Sequence, residues 1–188
     1  MLPKLRTDIL ISTEEYLKKE RLADYKSEFV EGILYAMSGA SEKHNLIVFN
    51  LITEIGRQIK KRPCKAYAND MKIRVKETNY VYPDVSALCG EAKFSDEETD
   101  VLLNPSIIIE VLSESTSNYD RGKKFELYRR LDSLQEYILV DQDRCYIEYH
   151  VKKGMQWILT ELDNLQDKLT LVSIECEILV EDIYNRVL

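Results

Sequence analysis

Three residues have types and spacing that could do chemistry together. Glu110 stands inside the apolar run "PSIIIEVLSEST", Asp84 lies 26 residues before it in "VYPDVSAL", and Lys124 lies 14 residues after it in "RGKKFELY". Read as a strand, the Glu110 run puts Ile107, Ile109 and Val111 on one face and Ile108, Glu110 and Leu112 on the other, since side chains alternate with period 2. Apolar residues on both faces are the pattern of a strand covered on both sides, which would shield Glu110 from water; the alternative is an edge strand whose one polar position reaches solvent. A shielded carboxylate requires a cation, a metal or hydrogen-bond donors beside it.

Asp84 admits two readings. It is either the second residue of a Pro-Asp turn or a mid-strand residue sharing its face with Tyr82 and Ser86. In the second case, and if the two strands are neighbours, Asp84 and Glu110 converge and need a cation between them. A hard divalent ion such as magnesium satisfies that need, because it prefers oxygen ligands and commonly takes one or two protein carboxylates. Lys124 falls on the same helical face as Phe125, Leu127, Tyr128 and Leu131 and is expected to point inward, with Lys123 reaching solvent. An inward lysine either snorkels along its stem or partners the buried acid.

The elements that must position these residues follow from periodicity. Ser12 and Glu15 have capping-box spacing ahead of a short helix, "TEEYLKKERLAD". "SEFVEGILYAMSG" reads as one or two strands broken near Gly32, and a long helix is predicted from about Ser41 to Lys61 on the stripe Val48, Leu51, Ile52, Ile55 and Ile59, ended by Pro63. "MKIRV" and "YVYPDVSAL" are strand candidates, followed by an acidic loop, "GEAKFSDEETD", the Glu110 strand, and a helix from about Arg121 to Leu131. Three further strands, "EYILVD", "CYIEYHV" and "MQWILTEL", and a closing helix in "VEDIYNRV" complete an α/β or α+β domain around a mixed sheet, residues 1–188 forming a single domain.

Composition narrows the function classes. The net charge of −7 argues against a protein that coats nucleic acid non-specifically, although "RQIKKRPCK" and "RGKKFELYRR" each carry five basic residues that could touch phosphate or form solvated helix faces. The four cysteines, Cys64, Cys89, Cys145 and Cys176, show no CxxC pair, so neither a structural zinc nor a disulfide framework is expected. No apolar run has the length of a membrane span, and "MLPKLRTDILIS" lacks the features of a leader, so the sequence reads as a soluble cytoplasmic protein with no membrane partner.

Taken in order, "YPDV", "IIIEVLSEST", Asp120, Lys124 and Tyr128 in "DRGKKFELY", and "EYILVD" resemble the Uma-type family of restriction endonucleases, within the PD-(D/E)xK nuclease superfamily. The upstream "EFVEGILYAMSGASEKHNLI" extends the resemblance over nearly the whole chain. It implies a restriction-endonuclease-like core, a mixed sheet flanked by helices. It also implies a metal-dependent endonuclease acting on DNA, in which Asp84 and Glu110, with the main-chain carbonyl of Val111, bind Mg²⁺ (Mn²⁺ substituting), and Lys124 orients the attacking water or stabilises charge on phosphorus. Leu112 stands where the superfamily commonly has lysine, and Lys124 would be its migrated replacement. Glu28 matches the acid of the family's first strand, with Glu31 as its rival; His44 is expected to line the site or to be a core histidine, Asp120 to line the site as a helix cap rather than as a ligand, and Tyr128 to pack in the core with its hydroxyl toward the site. A homodimer is expected, since small homo-oligomers most often have twofold symmetry. Two alternatives stand beside the nuclease: a nuclease-fold module binding nucleic acid or protein without cutting, and a metal-dependent hydrolase of another phosphate ester.

Overall fold

The fold is a computed structural model that describes residues 11–188; the first ten residues of the segment read above for a leader lie outside them. Ser12 caps the first helix, α1 (Thr13–Glu20): its hydroxyl accepts from the Glu15 N–H while the Glu15 carboxylate accepts from the Ser12 N–H, each at 3.1 Å. This reciprocal capping box is the one read from the Ser-x-x-Glu spacing. β1 (Ser27–Val30) and β2 (Ile33–Ala36) then form a hairpin whose two turn residues, Glu31 and Gly32, both take positive φ, 52° and 83°. That combination matches the twist of the flanking strands. It also directs Glu31 out of the sheet.

The long helix α2 (Glu42–Ile59) begins at Ser41, whose hydroxyl accepts from the His44 N–H, and buries Ile47, Val48, Leu51, Ile55 and Ile59. β3 (Cys64–Ala68), β4 (Lys72–Val75) and β5 (Asn79–Val81) follow. The run "YVYPDVSAL" is not one strand: it ends as β5 at Val81 and resumes as β6 (Val85–Cys89) in a different sheet. Pro83 has no N–H to donate to a ladder, so pairing stops there and Asp84 sits at the entry to β6 instead of mid-strand. The acidic loop contains a two-residue strand, β7 (Val101–Leu102), before the Glu110 strand, β8 (Ile107–Leu112).

β8 pairs with β6 on one side, antiparallel, and with β9 (Glu136–Asp141) on the other, parallel. All six β8 residues are buried. β10 (Ile147–Lys153) and β11 (Gln156–Leu162) extend this sheet, whose order is β11-β10-β9-β8-β6-β3. The other large sheet has the order β2-β1-β5-β4-β7. A small hairpin, β12 (Lys168–Leu171) with β13 (Cys176–Leu179), and the short helix α5 (Val180–Ile183) close the chain. The fold is thus the expected α+β architecture of mixed sheets flanked by helices.

Alternation along β8 separates two cores. Ile107, Ile109 and Val111 pack with α2 and the C-terminal hairpin, while Ile108 and Leu112 pack with Ile73, Val81, Leu127 and Tyr137. Glu110 projects with the second set. The strand is therefore covered on both faces, and the edge-strand alternative does not apply.

Cysteine pairing departs from expectation. β3 and β6 are antiparallel neighbours with Cys64 opposite Cys89, and the two form a disulfide. Spacing along the chain carries no information about strand register, so a pair 25 residues apart could not be read from it. Among the described residues there is no group of three or more His, Cys, Asp or Glu side chains arranged to hold a metal, and no helix long and apolar enough to cross a membrane.

Candidate active site

The crossover from β8 to β9 is where the second group of site residues lies. It is not the plain α-helix predicted from Arg121. A short α-turn, α3 (Ser117–Tyr119), leads into a π-helical segment, Asp120–Lys124, and then into α4 (Phe125–Tyr128). Single π-turns inside helices mark places where one extra residue is accommodated, frequently at functional sites. Here the segment carries Asp120 and Lys124, both of them buried. Asp120 is not the helix cap expected from its position: the helix starts earlier, at Ser117, and the Asp120 carboxylate points into the protein, 3.7 Å from the Lys124 ammonium.

Tyr137 of β9 holds this segment from beneath. Its hydroxyl donates to the Asp120 carbonyl at 2.9 Å, and its ring stacks on Phe125 with centroids 4.7 Å apart. Tyr137→Phe should therefore cost about 1 kcal/mol in chemical denaturation, the net worth of one such hydrogen bond. A change below a few tenths would show that the π-segment does not need this anchor.

Lys124 is the centre of the cluster. Its Nζ lies 3.0 Å from Glu110 Oε1 and 3.1 Å from Glu28 Oε1, and donates to the Tyr82 carbonyl at 3.3 Å. Burial pulls the ammonium toward its neutral form, but the Glu110 and Glu28 carboxylates outweigh it and hold the lysine well above its ordinary value, so it stays charged. The same burial pushes Glu110 well above the ordinary carboxylate range, against the pull of Lys124, and raises Asp120 for the same reason. The Tyr128 hydroxyl donates to Glu110 Oε1 at 2.9 Å. Glu28 accepts from the Tyr82 N–H at 3.1 Å and from the Tyr119 hydroxyl at 3.2 Å.

Asp84 approaches from the β6 side. Its Oδ2 accepts the Val111 N–H at 2.7 Å and lies 3.2 Å from His44 Nε2, while its own N–H is 3.4 Å from Glu110 Oε2. The Val111 carbonyl shares this edge with the Val111 N–H, since both groups of one residue in an extended strand point to the same side. His44 Nδ1 is buried without a hydrogen-bond partner. Glu28, Glu110 and Asp120 thus surround a single ammonium, with Asp84 beside Glu110, on the floor of a cleft of about 600 Å³, leaving excess negative charge that protons or a cation must offset.

The structure therefore brings together Asp84, Glu110, Lys124, Glu28, His44, Asp120, Tyr128 and the Val111 backbone. It leaves Glu31 outside: that carboxylate is exposed on the β1–β2 turn and paired with Lys123 at 2.9 Å. Two participants were missed from sequence. Tyr82 contributes both backbone groups to the cluster, and its place before Pro83, a residue held extended, was the available signal. Tyr119, which reaches Glu28 from the helix start, gave none.

Several known proteins are similar to this chain. A crystal structure of a putative nuclease belonging to DUF820 from Anabaena variabilis superposes with a TM-score of 0.78 at 20% identity, covering 95% of this chain and 99% of that one, and shares the fold. Two proteins of Synechocystis sp. are similar in sequence: uncharacterized protein sll1609, 40% identical over 83% of this chain and 89% of its own, and uncharacterized protein slr1290, 36% identical over 93% and 92%. Residues 13–180 match the Uma2 family, described as "Putative restriction endonuclease", and with a match spanning most of its length the chain belongs to that family.

Proposed function

We propose that this protein is a divalent-metal-dependent endonuclease that hydrolyses phosphodiester bonds in DNA. One observation carries the reading: four carboxyl groups and one retained ammonium gather at the end of β8, on the floor of an open cleft. Nothing in the packing requires so much buried acid, and such a cluster is costly unless a function uses it.

The donor set suits a hard cation. Asp84 and Glu110 supply carboxylate oxygens beside the Val111 carbonyl, too few ligands for a closed protein cage. That is the arrangement magnesium favours, since it keeps several waters and takes the remaining oxygens from a phosphate. Asp84, Glu110 and the Val111 carbonyl would hold Mg²⁺ or Mn²⁺. When bound, the ion supplies Lewis acidity at the phosphate and lowers the pKa of a water.

The chain's own residues do the rest. Lys124 keeps its proton and presents positive charge where negative charge develops on phosphorus, in a site too buried for water to screen it. Glu28 and the Tyr82 carbonyl fix the direction of that ammonium. Tyr128 holds one oxygen of Glu110, leaving Oε2 on the Asp84 side. His44 and the Val111 N–H both engage Asp84 Oδ2, which leaves Oδ1 for a ligand.

The two candidate acids of the first hairpin should part sharply. Glu28→Gln weakens the hold on Lys124 and should lower cleavage about 10- to 100-fold, the usual cost of disturbing a residue that orients a ligand or its neighbour. Glu31→Gln removes only an exposed ion pair; cleavage should stay at the wild-type rate and stability within about 0.5 kcal/mol. Equal losses in both would contradict these assignments.

The experiment that tests the function is calorimetric titration of Mg²⁺ and Mn²⁺ into the full chain, with cleavage of plasmid and of single-stranded oligonucleotides assayed on the same samples. Binding together with cleavage supports the nuclease. Binding without cleavage of any nucleic acid points to another phosphate ester, and absence of metal binding points to a module that binds without cutting.

A further inference from the structure

The same cleft bears on which form of DNA it accepts, an inference that rests on the nuclease reading above. The basic run of residues 121–130 is largely spent within the molecule. Arg121 is held by Glu148 at 2.6 Å, Lys123 by Glu31 at 2.9 Å and Arg130 by Glu126 at 2.6 Å, while Lys124 is buried and Arg129 lies over the Phe125 ring. The other basic run starts near the far end of α2. That helix has 18 residues, a length of about 27 Å, and it is its opposite end, through Ser41 and His44, that lines the cleft. Lys26, at the cleft mouth, is paired with Asp70 at 2.7 Å. A duplex bound through its two backbones needs several free cations beside the site, because phosphate contacts supply most of that affinity.

Depth points the same way. Glu28, Glu110, Asp120 and Lys124 each expose 6% or less of their surface, so a phosphodiester must enter the cleft to meet them. A duplex is stiff over about 150 base pairs and would lie across the mouth, whereas a single strand can bend one nucleotide inward. The cleft's volume, about 600 Å³, is that of a site for one small ligand. Tyr25 lines its mouth with 57% of its surface exposed, and it takes part in none of the ring contacts among the described residues. Aromatic faces of this kind bind single strands by stacking on bases, a contact that unpaired bases can make and bases stacked within a duplex cannot.

We propose that the cleft selects single-stranded DNA, or an unpaired stretch within a duplex, with Tyr25 stacking on a base at its mouth. The test uses the full chain and a fluorescein-labelled oligonucleotide, single-stranded or annealed to its complement. Binding is read by anisotropy in Ca²⁺ and cleavage by gel in Mn²⁺. The single strand should bind at least about tenfold tighter than the duplex; Tyr25→Ala should weaken single-strand binding about tenfold, the loss of one base stack, with Tyr25→Phe close to wild type. Equal or tighter duplex binding, no measurable binding of the single strand, or a Tyr25→Ala protein that binds it as wild type does would overturn the proposal. The nuclease reading fails separately: a retained strand preference with no cleavage in Mn²⁺ supports the binding proposal and counts against catalysis, whereas duplex cleavage without strand preference leaves catalysis standing and removes this proposal.

Discussion

Glu110→Gln is expected to abolish metal binding and to lower DNA cleavage by at least about a thousandfold, while leaving the metal-free protein as stable as wild type or more so. The loss of rate corresponds to roughly 4 kcal/mol of charge stabilisation at the reacting phosphate, which the bound ion supplies and a neutral amide cannot recruit. The retained stability follows from burial. The Glu110 carboxyl is held well above its ordinary value because desolvation disfavours its charged form, so at neutral pH its ionisation costs folding free energy. A glutamine of nearly the same shape keeps an oxygen for the Lys124 ammonium and the Tyr128 hydroxyl, which donate to Oε1 at 3.0 and 2.9 Å. Thermal unfolding with and without Mn²⁺ checks both halves: the ion should raise the melting temperature of wild type, as any ligand of the native state does, and leave that of the variant unchanged. A variant that still gains stability from Mn²⁺ would show that Glu110 is not a ligand.

Lys124→Met should be damaging in both respects. Cleavage should fall about 100- to 1000-fold, the usual cost of removing one preorganised electrostatic group. At pH 8 the fold should lose about 3 kcal/mol, because removing the cation of a buried cluster leaves Glu28, Glu110 and Asp120 uncompensated. For a protein of this size that is a drop of roughly 10 °C. The sign of the pH dependence separates this from simple loss of packing. Glu110 and Asp120 have folded values raised by burial, so the stability supplied by their protonation is present below the ordinary carboxylate range and is lost as pH rises through the raised values. Lys124 is held above its ordinary value, so its contribution is present below the ordinary lysine range and is lost only as pH rises through the folded value. Deleting the ammonium removes the charge that pulls both carboxyls down and sends them higher still. The destabilisation should therefore be small near pH 5 and grow toward pH 8; a difference from wild type that is flat across this interval would mean that lost packing, not charge, explains the effect.

Elements whose signals are local can be read from the chain directly. The Ser12–Glu15 capping box, the apolar stripe of α2 and the alternating faces of the Glu110 strand depend on spacing along one segment, and a residue's neighbours at i+3, i+4 or i+2 are the same in the chain as in the fold, whereas the covering of both strand faces was settled by packing. The inward turn of Lys124 was legible for that reason, as was the outward turn of Lys123. Features that depend on which segments meet were decided by tertiary structure alone. Pro83 divides one apolar run between two sheets, and only the pairing of β6 with β8 puts Asp84 against the Val111 N–H. The register of β3 on β6 sets Cys64 opposite Cys89. Glu28 and Glu31 are the same residue type three positions apart; what separates them is the turn, whose positive φ sends Glu31 to solvent while the sheet carries Glu28 beneath Tyr82. Asp120 looked like a cap because its sequence context is that of a helix start, yet the π-segment anchored by Tyr137 turns it inward. The physical reason is common to all four cases. Periodicity fixes which way a side chain points within its element, but burial free energy and hydrogen-bond satisfaction, summed over distant segments, decide what it faces.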